Sequence, residues 1–204
     1  MKVLLINGSP HPDGCTAAAL KELAGALTRQ GIETETAHIG TKPIRGCIAC
    51  GRCKNGRCVF DDDVTNRMLE KMEHCDGLVI GSPVYYASAN GSLTAMLDRM
   101  FFAGDCFQYK AGCVVCSARR AGTTAAYDQL NKYLGISGMV QVPSCYWNMV
   151  HGMTKEDVQK DLEGLRIMRV LGNNMAWLMK TLEAGKAAVS YPQPEVPAQT
   201  NFIR

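Results

Sequence analysis

Lys2-Val3-Leu4-Leu5-Ile6-Asn7 runs directly into Gly8-Ser9-Pro10-His11-Pro12-Asp13-Gly14-Cys15-Thr16, and this junction decides the fold. The opening run is continuously apolar and stops at a glycine turn, the pattern of a strand buried on both faces. After the loop, Leu20, Leu23 and Leu27 recur at helical spacing through Thr16–Gln30, and Gly31 ends that helix. A buried strand joined to a helix by a short loop is the repeating unit of a parallel sheet.

Working outward, the same alternation continues. Glu33–Ile39 reads as a more polar strand near a sheet edge, and Gly40–Phe60 has no periodicity. Asp61, Asp62 and Asp63 open a helix reaching about His74, their charges suited to its positive end. Asp76–Ser82 is a third strand, Ser88–Phe102 a helix, Ala111–Ser117 a fourth strand and Gly122–Leu134 a helix. Gly138–Val142 reads as a short fifth strand, and Thr154–Glu183 as a long helical stretch with a break expected near Gly172. The expectation is a five-stranded parallel α/β sheet, doubly wound, with helices on both faces. One domain over 1–184 carries a cysteine-rich insertion at 44–60. The tail, 185–204, is expected to pack on a neighbour or stay loose. Such sheets bind ligands outside the carboxyl ends of their strands, so the loops after strands one, three and four are the informative ones.

Composition narrows the function classes. The 204 residues are 47% hydrophobic and 20% charged, ordinary values for a globular chain. A net charge of +3 with scattered Lys and Arg speaks against nucleic acid or an acidic membrane as partner. The opening run lacks the basic head and length of a signal peptide, and no apolar stretch is long enough to span a bilayer, so a cytoplasmic location is expected. In that compartment ten cysteines point to metal binding or redox chemistry rather than a disulfide framework. Cys113 and Cys116 sit in an apolar run and read as buried strand residues.

The first loop suits a phosphate monoester. Small residues let the backbone approach an anion, Ser9 and Thr16 carry hydroxyls, and the helix start supplies N–H groups. It is neither a Walker A loop nor a dinucleotide fingerprint. The alternative is a plain strand–helix turn, in which His11 is simply a solvated loop residue. Cys15 at the helix start reads as a small polar filler rather than a nucleophile.

Cys47-x2-Cys50-x2-Cys53-x4-Cys58 is the most distinctive feature. Two-residue gaps let thiolates gather in a small volume, as in ferredoxins. Zinc ligands come as two pairs with a longer spacer, which is missing here. An iron–sulfur cluster is favoured, with reduced metal-free cysteines and zinc as the alternatives.

Leu4-Ile6-Asn7-Gly8-Ser9-Pro10 with Gly14 and Thr16, then Gly81-Ser82-Pro83-Val84-Tyr85-Tyr86 and Leu97-Asp98-Arg99, resemble the flavodoxin-like NADPH-dependent FMN reductases. Gly46-Cys47, Cys50, Cys53, Cys58 and Asp62-Asp63 resemble their iron–sulfur flavoprotein branch. His11 and Cys15 depart from the family, where many members carry a basic residue and an asparagine. The resemblance covers about the first 145 residues and implies a flavodoxin-like sheet of order 2-1-3-4-5. It implies FMN, with its phosphate on Ser9, His11, Gly14, Cys15, Thr16 and Ala17. Pro83, Val84, Tyr85 and Tyr86 would wall the isoalloxazine ring, which needs a flat apolar side and backbone groups along its polar edge. Ser117, Arg119 and Gly122 would lie along its pyrimidine end, where Arg119 or Arg120 would offset charge gained on reduction, the alternative being a solvated surface arginine. The four loop cysteines would hold a 4Fe–4S cluster near an FMN, often that of a neighbouring subunit.

The implied activity is an oxidoreductase in which FMN accepts a hydride from NAD(P)H, or electrons from a redox protein. Electrons would then leave for a small-molecule or protein acceptor. No acid–base catalyst is named, because the cofactor carries the chemistry. Asp98 and Arg99 read as a structural or subunit-contact pair. A substrate-free electron carrier or redox sensor and a metal-regulated interaction protein are the alternatives. The resemblance also implies a homodimer or homotetramer.

Overall fold

A computed structural model describes residues 1–196, 198 and 200. The sheet is built along the path β2 (Glu33–His38), β1 (Lys2–Asn7), β3 (Gly77–Tyr85), β5 (Ala111–Ala118), β6 (Val140–Gln141), and every pairing on that path is parallel. This is the expected 2-1-3-4-5 order, with the fourth and fifth expected strands now numbered β5 and β6. Two short strands were not expected. β4 (Ser88–Ala89) folds back antiparallel on β3, and β7 (Met149–His151) pairs parallel with β5.

β7 corrects the reading of the fifth strand. Instead of one strand over Gly138–Val142, β6 holds the amino-terminal end of β5 through Ala111 and Gly112, and β7 holds its carboxyl end from Cys116 to Ala118. Pro143 lies between the two segments and has no N–H to give a ladder. The chain therefore leaves the edge after β6 and rejoins it at β7.

The period-two alternation of the strands divides the core into two layers. Leu4, Ile6, Leu78, Ile80, Val114 and Cys116 face α2 (Thr65–Glu73), α3 (Gly91–Ala103) and α4 (Thr123–Ile136). Val3, Leu5, Val79, Cys113 and Val115 face α1 (Cys15–Arg29) and α6 (Leu162–Gly185). Cys113 and Cys116 are thus buried on opposite faces. Burial alone raises both thiols, that of Cys116 to about 12.

The expected helix break near Gly172 does not occur. The stretch is interrupted earlier, between α5 (Lys155–Val158) and α6, where Asp161 caps α6 by accepting from the Gly164 N–H. Gly172 lies inside α6 and against α1: a Cβ there would stand 2.7 Å from the Ala26 Cβ and 2.8 Å from the Leu23 carbonyl oxygen. The propensity cost of a helical glycine, about 1 kcal/mol, is offset by this close packing.

The acidic run also behaves differently from expectation. α2 starts at Thr65, after Asp61, Asp62 and Asp63. The described tail folds back on its own chain, with Tyr191 stacked on Tyr109 at 4.6 Å. The tail residues 197, 199 and 201–204 lie outside the described residues. Among the described residues, no helix is long and apolar enough to cross a membrane.

Candidate functional site

The carboxyl ends of β1, β3 and β5 meet at an open cleft of about 510 Å³. Asn7, the last residue of β1, accepts from the Ser9 N–H at 3.1 Å, and the Ser9 hydroxyl accepts from the His11 N–H at 3.1 Å. These local bonds fix the loop before any ligand arrives. The Asn90 amide donates to the Gly8 carbonyl at 2.6 Å while its oxygen caps α3, so the loop is also fastened to the next helix. α1 begins behind Gly14 with no capping side chain and no acidic residue in its first turn. Its first N–H groups are left to an external acceptor, and the helix dipole makes an anion the favoured one.

Across the cleft, the Thr16 and Ser117 hydroxyls lie 2.8 Å apart and tie the first loop to β5. Pro83, Val84 and Tyr85 form the facing wall, and burial raises the Tyr85 phenol. Beyond them the β3–β4 hairpin turns on Tyr86 and Ala87, whose φ values are 50° and 56°. Two left-handed non-glycine residues cost about 1–3 kcal/mol each, and the surroundings impose them. Gln129 accepts from the Ser88 hydroxyl and the Ala89 N–H, and Gly122, at φ 93°, leaves room for Ala87, whose Cα would lie 2.6 Å from an added Cβ.

Of the thirteen positions expected to bind the cofactor, Ser9, His11, Gly14, Cys15, Thr16, Pro83, Val84, Tyr85, Ser117 and Arg119 line this one cleft. Ala17, Tyr86 and Gly122 do not line it: Ala17 lies in the first turn of α1, Tyr86 is fully exposed, and Gly122 supports the hairpin from behind. The Cys15 Sγ is 3.5 Å from the Gly152 carbonyl, and burial raises its pKa, as suits a filler rather than a nucleophile. The sequence reading missed Gly152, Met153, Thr154, Lys155 and Glu156, which close the cleft's far side. Their helix start at Thr154 is legible, but their position depends on β7, which is too short to show a period. Lys155 pairs with Asp13 across the rim and holds its carboxyl below the usual range.

The cysteine loop is built differently. Lys54 and Arg57 exchange both backbone hydrogen bonds, 3.0 and 3.1 Å, around an Asn55-Gly56 turn with φ 53° and 69°. The four-residue gap between Cys53 and Cys58 is therefore a two-residue hairpin, and the next pair outward is Cys53 opposite Cys58. Asn-Gly is a sequence signal for such a hairpin, and the sequence reading passed over it. Burial first, then the nearness of Cys58, Cys50 and Cys47, raises the Cys53 thiol. All four cysteines border one small pocket with Ile48, Phe60, Arg99 and Phe102. Among the described residues, no three His, Cys, Asp or Glu side chains converge as ligands of a single ion.

Cys58 is the fixed corner of the loop. Its N–H donates to Asn66 Oδ1 and its carbonyl accepts from Asn66 Nδ2, both at 2.9 Å, and Arg99 Nε donates to its Sγ at 3.3 Å. Cys47 and Cys50 are exposed. Arg99 pairs with Asp63 rather than with its neighbour Asp98, which instead accepts from the Tyr133 hydroxyl. Burial alone would raise Asp63, but donors from Thr65, Arg99 and Arg45 outweigh it and hold the carboxyl below its usual range.

The sequence pattern of the NADPH-dependent FMN reductases matches residues 1–154. An iron–sulfur flavoprotein of Methanocaldococcus jannaschii is 33% identical over 193 residues, covering 90% of this chain and 100% of its own. The chain belongs to the NADPH-dependent FMN reductase family, in its iron–sulfur flavoprotein branch. Two solved structures share the fold. RosB, with a bound intermediate that is a formylated riboflavin phosphate, gives a TM-score of 0.69 at 15% identity, over 100% of this chain and 94% of its own. An archaeal flavodoxin gives 0.59 at 15% identity, over 88% and 99%. Family membership is thus shown by sequence, and the flavodoxin-like architecture by both sequence and structure.

Proposed function

We propose that this flavoprotein is an FMN-dependent oxidoreductase. It takes reducing equivalents from NAD(P)H and passes electrons through FMN and a 4Fe–4S cluster to a one-electron acceptor, in a reducing cytoplasm. The carrying observation is the convergence of three strand ends and an uncapped α1 start on one preformed cleft. Its size lies within the range of small-ligand pockets, about 300–1,000 Å³. When bound, FMN supplies the hydride and single-electron chemistry.

The chain's part is to bind and orient. Ser9, Thr16 and the N–H groups from Cys15 to Ala17 would hold the phosphate, with His11 and Gly14 at its rim. Pro83, Val84 and Tyr85 would wall the ring, braced by the Tyr86 turn and Gly122. Ser117 and Arg119 would meet its polar edge. Cys47, Cys50, Cys53 and Cys58 fit a cluster rather than a single ion, because a cubane asks four soft ligands to stand around a body of several atoms.

The two pockets share no lining residue. Asn90 touches the first loop and Arg99 the cysteine loop; the nine residue steps between them along α3 span about 13.5 Å. This separation supports a homodimer or homotetramer in which one copy's cysteine loop approaches another's cleft. The exposed Ile48 and Phe102 are available for such a contact.

The test is an absorption spectrum with iron and acid-labile sulfide assays on anaerobically purified protein, followed by NADH and NADPH oxidation. Flavin bands, about four irons per chain and turnover with a nicotinamide are expected. Flavin without iron after reconstitution would remove the cluster. Iron and flavin without nicotinamide turnover would leave an electron carrier.

A further inference from the structure

Arg99 is the largest fully buried side chain among the described residues, 1% exposed, yet it carries a permanent charge. Burying a guanidinium costs several kcal/mol unless its charge and donors are met, so its acceptors show what it serves. Nε donates to Cys58 Sγ at 3.3 Å, Nη1 to the Asp63 carboxylate and, at 3.2 Å, to the Arg45 carbonyl, and Nη2 to the Phe60 carbonyl at 2.8 Å. Every acceptor belongs to the cysteine loop or its two flanks. Arg45 and Phe60 stand at the loop's entry and exit, so one side chain from α3 draws both ends together.

One donor goes to a sulfur rather than to an oxygen. Asp63 supplies a single compensating charge, and the Asp63–Arg99 pair is then neutral with an N–H aimed at Cys58. A thiolate at Cys58 would complete a charge-assisted hydrogen bond in a buried setting, where such bonds are strong.

We propose that Arg99 is a positioning residue that fixes Cys58 as the anchoring ligand of the cysteine loop and, by donating to its sulfur, raises the reduction potential of the cluster bound there. This rests on the cluster assignment made above. A cation hydrogen-bonded to a ligand sulfur stabilises the form that has gained one electron, and hydrogen bonds to sulfur are among the levers that set these potentials. Asp63 acts with the opposite sign, since its negative charge moderates the guanidinium.

The test is a dithionite redox titration, followed by electron paramagnetic resonance, of protein reconstituted anaerobically with iron and sulfide. Wild type, Arg99→Gln, Arg99→Lys and Asp63→Asn would be compared, with iron content measured alongside. Arg99→Gln should lower the one-electron equilibrium about tenfold, ~59 mV, Arg99→Lys should lower it less, and Asp63→Asn should raise it. Opposite signs are the signature, because a purely structural staple would change iron content without a signed shift. Should Arg99→Gln fail to load iron, Arg99→Lys and Asp63→Asn carry the comparison; failure of all three to load would reduce Arg99 to a staple and overturn the proposal. Loaded variants with unmoved potentials, or shifts of one sign, would overturn it alone. A wild type that takes up no iron would overturn the cluster assignment and this inference with it.

Discussion

The strand-end cleft and the cysteine loop are two candidate ligand sites made in opposite ways. The cleft is a by-product of regular structure: three parallel strands end together, and backbone and short polar side chains fasten the first loop to α3 and β5. The cysteine loop has only an Asn-Gly hairpin of its own and is held at its ends and at Cys58 by Arg99 and Asn66. Its first two cysteines are exposed. A site on rigid elements is complete before its ligand arrives, whereas this loop presents Cys58 held in place, Cys53 across the hairpin from it, and two exposed cysteines that a ligand would have to gather.

Paired glycine substitutions are the severest way to break that contrast. A Cβ at Gly8 would lie 2.7 Å from the Gly81 carbonyl oxygen and 2.5 Å from Leu93, while one at Gly46 in the cysteine loop would meet nothing within 4 Å. Gly8→Ala is expected to cost about 3 kcal/mol through overpacking against fixed backbone, and Gly46→Ala less than about 0.5 kcal/mol. Thermal melts would read the first as a fall of roughly 2–4 °C per kcal/mol at this chain length. Equal melting temperatures would mean that the first loop is not rigid.

Next in size is the asymmetry within the loop. Cys58→Ala leaves the buried Arg99 Nε–H without its acceptor and should cost about 1–3 kcal/mol in iron-free protein. Cys47→Ala and Cys50→Ala, at exposed positions, should change stability by less than about 0.5 kcal/mol. All three are expected to lose iron while retaining flavin, because within one chain the two pockets share no lining residue. Flavin loss in Cys47→Ala would instead mean that the two sites are coupled.

This division also explains what was legible in the sequence. β1, β3 and β5 are buried on both faces and read as continuous apolar runs, so the strand ends and their loops were found together. β7 was missed because three residues carry no period, and the cleft wall from Gly152 to Glu156 was missed with it. Gly172 misled because propensity records a glycine's cost and not the helix packed against it. The Arg99–Asp63 pair spans 36 positions in sequence, and nothing local distinguishes it from the adjacent Asp98. Periodicity reveals what secondary structure positions; it says nothing about one side chain reaching across the fold.

A smaller effect is expected at the seam of the cleft. Thr16→Ala removes the bond to Ser117, whose hydroxyl is then left buried and unpaired, at a cost of about 1 kcal/mol. If the same hydroxyl meets the cofactor phosphate, FMN affinity should fall about tenfold, equivalent to about 1.4 kcal/mol. Flavin titration of the variant would measure it, and unchanged affinity would confine Thr16 to a structural part.

The finest distinction is electrostatic, between the pair at the cleft rim and the pair beneath the loop. Asp13–Lys155 is largely exposed, whereas Asp63–Arg99 is almost wholly buried. Salt screens the first and scarcely the second. Both carboxyls are held below their usual range, so each contribution is fully present above the unfolded value, about 3.9. It is lost as pH falls through the lower folded value. Neither pair should therefore give a slope between pH 8 and pH 5. Below about pH 4, iron-free wild type should lose stability faster than Asp63→Asn, and the gap between them should narrow as acid protonates the native carboxyl. At 1 M salt that gap should persist, while the difference between wild type and Lys155→Ala should vanish. Urea unfolding across pH at low and high salt would separate the two. A gap that closes with salt at Asp63 would mean that solvent reaches beneath the cysteine loop, and that its one fixed corner is no more enclosed than the rest of it.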